Sequence, residues 1–347
     1  MVKSIKDRDS NIELLRIVCM IMILNLHTFW IPESLTLKSL NLANVITIFS
    51  ESLSVCAVNS FVLISGYYSI KWKWRSLLSL IYQVYFFIIV VYIILLATRF
   101  IHFNWIDFFY RLNCIRFSYW FITSYVVLYV LSPILNTYIN NASKKKLVFF
   151  LIAFYIIEFY FCSSIGTFNN GYSPLHFIGL YIFGRFLKNY PLGFFNNTFK
   201  PTLIYLLISF FIAVFFIGYK INTSDSCSNF NLIGGYANPL VVFQSIALFY
   251  IFKNINIQSK FVNWCSISVL SIYLLHMHPD IKQMYYSHAN SLYSLNILHR
   301  LIHLTLFFSA IFIISIMLDK IRILSFDVFY KIGLQIKNHY KSTCIHK

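Results

Sequence analysis

What most constrains this chain is the recurrence of apolar runs long enough to cross a bilayer. They fall at about 12–31, 44–69, 76–98, 119–139, 147–165, 174–187, 201–219, 236–252, 262–278 and 300–319, and a spanning helix needs about 20 predominantly apolar residues. The sixth and ninth are short for that length. The second is the most polar, with Glu51, Ser54, Asn59, Ser60 and Ser65 inside it. Composition agrees: 59% of the 347 residues are hydrophobic, 20% aromatic and only 11% charged, with a mean hydropathy of +0.70. A soluble chain carries roughly twice that charged fraction. The net charge of +17 does not point to nucleic acid, because the basic residues are scattered between apolar runs rather than gathered in a patch.

Their placement tests the count of ten. Cytoplasmic loops carry the excess of Lys and Arg, and with a cytoplasmic N-terminus the inner segments hold 20 of the 28 basic residues and the outer segments 7, with Arg16 inside the first run. Dropping one helix inverts every later loop and spoils this asymmetry. The chain therefore reads as an all-α integral membrane protein of about ten transmembrane helices with both termini cytoplasmic. Residues 1–347 form a single membrane-embedded unit, with the bundle at about 11–319 and a short basic tail at 320–347. The polar segment before the first run lacks a signal-peptide pattern, so that run is expected to stay as an anchor. Ser10 and Glu13 form a capping-box pattern at its start, and Pro32 ends it. The outer segment 219–235 reads as a connector or a flap. No matching halves of the transporter kind stand out.

The first run carries the most unusual residues. Arg16 and His27 are eleven apart, which brings a helix round to within about 20° of its starting direction and separates the two Cα atoms by roughly 16 Å. Glu13 shares that face. Ionisable groups within a membrane helix mark a functional site by default; otherwise Glu13 and Arg16 are headgroup-level topology signals and His27 bonds a neighbouring helix. Seven cysteines show no CxxC pair and no metal-ligand spacing, so no metal site is expected and the thiols read as small hydrophobes. There is no GxGxxG or GxxxxGK[ST] loop for a nucleotide.

Five motifs fall in one order: Arg16-x10-His27, Phe61-Val-Leu-Ile-Ser-Gly66-Tyr, Tyr119-Trp-Phe-Ile-Thr-Ser-Tyr125, Leu131-Ser-Pro-Ile-Leu-Asn136 and Ser271-Ile-Tyr-Leu-Leu-His276. With them the chain resembles the acyltransferase-3 family, integral-membrane O-acyltransferases of cell-surface polysaccharides, from about residue 10 to about 320. The resemblance implies a multi-pass protein of the bacterial plasma membrane. It also implies an acyl-CoA donor, most simply acetyl-CoA, with no tightly bound cofactor, and a surface glycan or lipid-linked oligosaccharide as acceptor.

For such a transfer the acceptor hydroxyl needs a base within hydrogen-bond reach, and His27, which ends the family-like motif, is that base. Arg16 stays protonated and suits an anionic group or the fixing of Glu13. The donor's phosphates are expected at the inner face, where Lys73 and Arg75 stand among Trp72 and Trp74, with Arg185 as a second candidate; the plainer reading of each is a positive-inside anchor. His276 reads as site-lining and His278 as interfacial. Two histidines two apart point about 200° from each other on a helix, so they do not share a metal. Trp120 and Tyr125 could face a sugar ring or belong to an aromatic belt. Glu51 lies shallow enough to reach the acceptor, and Glu158 reads as a structural carboxyl in need of a partner. The alternatives are a glycan flippase or exporter that changes no bond, and a polysaccharide polymerase.

Overall fold

The computed structural model describes residues 8–29, 42–113, 119–161, 169–222 and 234–345. The charges at Lys3, Lys6, Lys38 and Arg116, the stop at Pro32 and most of the 219–235 segment lie outside them. Among the described residues there is no strand. The helices are α1 (Ser10–Phe29), α2 (Leu42–Ser54), α3 (Ala57–Tyr68), α4 (Trp74–Ala97), α5 (Trp105–Leu112), α6 (Trp120–Asn141) and α7 (Lys144–Phe161). They continue with α8 (Pro174–Asn189), α9 (Phe199–Asn222), α10 (Pro239–Lys253), α11 (Lys260–Ser266), α12 (Val269–His276), α13 (Pro279–Ser291) and α14 (Ile297–Ile345).

Among the described residues each of the ten apolar runs is largely helical, but six stretches are both long and apolar enough to cross a membrane: Ser10–Thr28, Leu42–Tyr68, Trp74–Ala97, Trp120–Asn141, Phe199–Gly218 and Ile297–Ile336. The remainder fall short for identifiable reasons. Helix α7 opens on three lysines, α8 and α10 have 16 and 15 residues, and the ninth run divides into α11 and α12 of 7 and 8. Their outer faces still expose Phe149, Ile152, Ile156, Phe243 and Phe261, the surface that lipid rather than water would cover.

The second run also divides, at Val55–Cys56, because neighbours take its carbonyls. Gln244 Nε2 donates to the Ser52 carbonyl (2.8 Å) and the Tyr205 hydroxyl to that of Leu53 (2.6 Å), the kind of insertion that interrupts a helix ladder. Ser10 does not form the capping box. Its hydroxyl accepts the Ser259 N–H (3.0 Å), tying α1 to the start of α11, while the Glu13 N–H bonds the Asp9 carbonyl (3.0 Å). The tenth run extends well past 319 as one helix of 49 residues. It is fastened to α4 by Gln83 Nε2 to Asp319 Oδ1 (2.8 Å), with Arg322 on the same oxygen (2.7 Å), and by Arg75 on Asp327 (2.7 Å).

Helices α3 and α8 form the densest contact in the bundle. A Cβ on Gly66 would collide with the Tyr181 carbonyl, and one on Gly184 with the Leu63 carbonyl, so the two backbones touch directly, as small residues permit between membrane helices. Asn136 secures the end of α3: its Oδ1 accepts from Ser69 Oγ (3.1 Å) and the Tyr181 hydroxyl (2.7 Å), and its Nδ2 donates to the Ile70 carbonyl (3.0 Å).

Candidate active site

A cavity of about 330 Å3 runs beside α1, lined by Arg16 and His27 from that helix, Ser65 from α3, Trp120 and Tyr125 from α6, and Tyr273 from α12. The eleven-residue spacing thus does bring Arg16 and His27 to one space. Phe121 and Tyr125 lie parallel along one wall (6.0 Å, 14°), and Trp120 stacks on Tyr236 (5.9 Å, 23°) along another.

His27 Nδ1 lies 2.8 Å from His276 Nε2, and His276 Nδ1 lies 2.6 Å from the Ile272 carbonyl. A carbonyl only accepts, so His276 carries its proton on Nδ1 and, as a neutral ring, offers a lone pair at Nε2. His27 then donates from Nδ1, which leaves the lone pair on its own Nε2. No hydrogen bond to that nitrogen exists among the described residues. The backbone of α12 thus sets the tautomer of both rings, and the nitrogen left basic belongs to the residue that lines the cavity. Behind the pair, the Thr28 and Tyr285 hydroxyls lie 2.8 Å apart and the Tyr285 ring packs on His276 at 5.2 Å.

Glu13 faces Arg16 at 3.7 Å (Oε2 to Nε) and accepts from Arg8 at 3.4 Å. The Arg16 Nε is buried without a hydrogen-bond partner, so Glu13 lies near the guanidinium without saturating it. An unsaturated buried donor facing a cavity is suited to an anionic or carbonyl oxygen.

The other expected residues stand apart. Glu51 is buried in α2 and does not line the cavity. Lys73 immediately precedes α4, its N–H held by the Tyr129 hydroxyl (3.0 Å) and its side chain exposed. Arg75 is paired with Asp327 and lies over the Tyr330 ring (5.0 Å). Arg185 is half-buried on α8, its Nε without a hydrogen-bond partner. His278 is fully buried within the protein. Helix α12 ends at His276, and His278 instead caps α13, its Nδ1 accepting the Asp280 N–H (3.2 Å).

One group escaped the sequence reading. Glu158, His176 and Asn59 are fully buried. His176 Nδ1 faces both carboxylate oxygens (3.0 Å each), its Nε2 faces Asn59 Oδ1 (3.0 Å), and Asn59 Nδ2 donates to the Tyr236 carbonyl (2.9 Å). Hydrogen-bond accounting fixes the chain: the carbonyl orients the amide, the amide oxygen requires an N–H at Nε2, and Nδ1 and the carboxyl then share one proton. The pair is neutral overall, which a membrane interior favours. Its far end holds the backbone of Tyr236, the residue stacked on Trp120. The available signal was a lone histidine and a lone glutamate in neighbouring apolar runs, each in need of a partner.

A sequence profile of the family described as an acyltransferase domain (acyltransferase 3) matches residues 9–320. No curated protein and no solved structure matches the chain. The matched stretch takes in α1, the cavity walls and His276 together, on a scaffold whose longest helices are apolar enough to cross a bilayer. The chain belongs to the acyltransferase-3 family and is a membrane acyltransferase.

Proposed function

We propose that this protein is an O-acetyltransferase of the plasma membrane, moving acetyl from acetyl-CoA to a hydroxyl of a cell-surface polysaccharide or its lipid-linked precursor. The observation that carries the reading is the oriented His27–His276 pair beside an aromatic-walled cavity. The acceptor O–H gives its proton to His27 Nε2 as its oxygen attacks the thioester carbonyl. The tetrahedral intermediate then expels the thiolate, which takes the proton back from Nε2. One O–H and one C–S bond break, one C–O and one S–H bond form, and His27 ends as it began. His276 acts through His27 as a positioning residue.

Arg16 has a different task. With its Cα roughly 16 Å from that of His27, it stands too far along the helix to stabilise an oxyanion at the base, and it holds the donor's polar arm lower in the cavity. Trp120 and Tyr125 offer the acceptor sugar flat apolar faces. The charge asymmetry of the sequence supports ten membrane passages with both termini inside, the shorter helices crossing within the bundle.

The test is transfer itself. Purified protein in sealed vesicles receives labelled acetyl-CoA on the cytoplasmic face, and label is counted in the glycan fraction. Transfer by the wild type and none by His27→Asn is expected. Glycan export without acetylation in the wild type would replace this reading by that of a flippase.

A further inference from the structure

A second cavity of about 260 Å3 opens where α1 begins and α3, α8 and α10 end, on the side assigned to the cytoplasm by charge. It is lined by Asp9 and Asn11, by Tyr67 and Tyr68, and by Lys188 and Lys253, with Asn256 and Gln258 at its rim. Lys188 Nζ sits 4.8 Å from the centre of the Tyr67 ring and Lys253 Nζ 5.5 Å from the same centre; Lys253 also lies 4.8 Å from the Tyr250 ring. Two ammonium groups are thus gathered about one aromatic ring. Neither has a carboxylate within 4.0 Å among the described residues, and the carboxylate that lines the cavity, Asp9, accepts from the Tyr68 hydroxyl.

Like charges brought together repel unless an anion bridges them. Positive-inside anchoring explains a lysine at a helix end, but it does not explain two lysines from different helices converging on a polar cavity. Arg75, by comparison, is already neutralised by Asp327.

We infer that Lys188 and Lys253 form a diphosphate site that anchors the nucleotide end of the acyl donor. The inference rests on the acetyl-CoA reading above and locates its donor. The cavity borders Ile12, one helical turn before Arg16, and fifteen residues of α1, roughly 22 Å, separate Ile12 from His27. That is the order of length of an extended pantetheine arm with its thioester. The phosphates then rest between the lysines, the arm passes Arg16, and the carbonyl arrives at the base. The Asn256 and Gln258 amides supply neutral donors at the rim, and the Tyr68 ring an apolar face.

The test measures binding rather than turnover. Labelled coenzyme A is equilibrated with the full-length protein in nanodiscs of zwitterionic lipid, for the wild type and for the double variant Lys188→Gln/Lys253→Gln. Losing charge-assisted contacts should weaken coenzyme A by about tenfold or more. It should leave pantetheine, which lacks the phosphates, unchanged, and it should reduce the salt sensitivity of binding. Lys188→Arg/Lys253→Arg should restore most of the affinity and guards against misfolding. Equal affinity for coenzyme A in the wild type and the Gln variant overturns the site. If anionic lipid, and not coenzyme A, responds to the lysines, the cavity holds a headgroup and the inference also fails. Inorganic pyrophosphate separates the remaining case: its lysine-dependent binding without any coenzyme A binding would keep the diphosphate site and sink the acetyl-CoA reading.

Discussion

Replacing His276 by Leu keeps the bulk and removes the acceptor that orients His27. The lost contact is the 2.8 Å bond from His27 Nδ1 to His276 Nε2, a neutral hydrogen bond of about 0.5–1.5 kcal/mol, or about 2- to 12-fold in rate at about 1.4 kcal/mol per tenfold. The proton of His27 is then free to move to Nε2, which hides the base from the acceptor and adds a further factor of a few. Together these predict a loss of about 10- to 10²-fold in kcat, smaller than the 10²- to 10⁴-fold typical of removing the base. His276→Gln, whose amide oxygen can accept from Nδ1, should recover part of the rate. The assay is acetyl transfer in membranes matched for protein content, with His27→Ala, His276→Leu and the double variant run together. If His276 works only through His27, the double variant is no slower than His27→Ala alone. Losses that multiply, or a His276→Leu variant as slow as His27→Ala, would mean that His276 reacts on its own, and the relay of tautomers would be wrong.

Arg16→Lys keeps the charge that insertion needs but loses the planar fork, so a donor-holding role predicts a clear rise in KM for acetyl-CoA and a topology role no change. Reporter fusions after Lys145 and Lys253 should report the cytoplasm and one after Tyr110 the outside; Lys145 inside with Lys253 outside would end the ten-passage topology. Glu158→Leu strands His176 and should cost about 1–3 kcal/mol, read as a lower thermal midpoint in detergent, whereas Glu158→Leu/His176→Leu should be less damaging than the sum of the two single changes. Gly184→Ala drives a methyl group into the Leu63 carbonyl and should sharply lower the yield of folded protein, while Gly193→Ala, with nothing within 4 Å, should not.

The face of α1 at the candidate site was legible because its signal is local: eleven residues of helical arithmetic place Arg16 and His27 on one face, and both line the cavity. His276 was found through its motif, although its hold on the tautomer of His27 depends on the Ile272 carbonyl and so on where α12 ends. The breaks in the second and ninth runs were not legible. The first arises because Gln244 and Tyr205, far along the chain, take the carbonyls of Ser52 and Leu53. Glu158 was seen to need a partner, but its partner lies in the next helix and orients it only through Asn59. Lys188 and Lys253 read as topology signals in sequence, since a lysine at a helix end looks the same whether it faces headgroups or shares a tyrosine ring with another lysine.

The glycine contact between α3 and α8 bears on which acyl groups this enzyme can use. One end of that pair carries Tyr67 and Lys188, the proposed anchor for the donor's phosphates. Its other half carries Asn59 and His176, which fix the wall at Tyr236. Backbones in direct contact neither slide nor separate without unpacking, so the distance from anchor to wall is constant, and the pair works as a ruler. If the donor is pinned at its phosphates as proposed, its carbonyl would come to one height, level with His27, and everything beyond the carbonyl would have to fit the space that remains under Trp120 and Tyr236. On that reading acyl-chain length would be selected at the unyielding end of the ruler, and a smaller side chain at Trp120 or Tyr236, rather than any change near the base, is what would admit a longer chain.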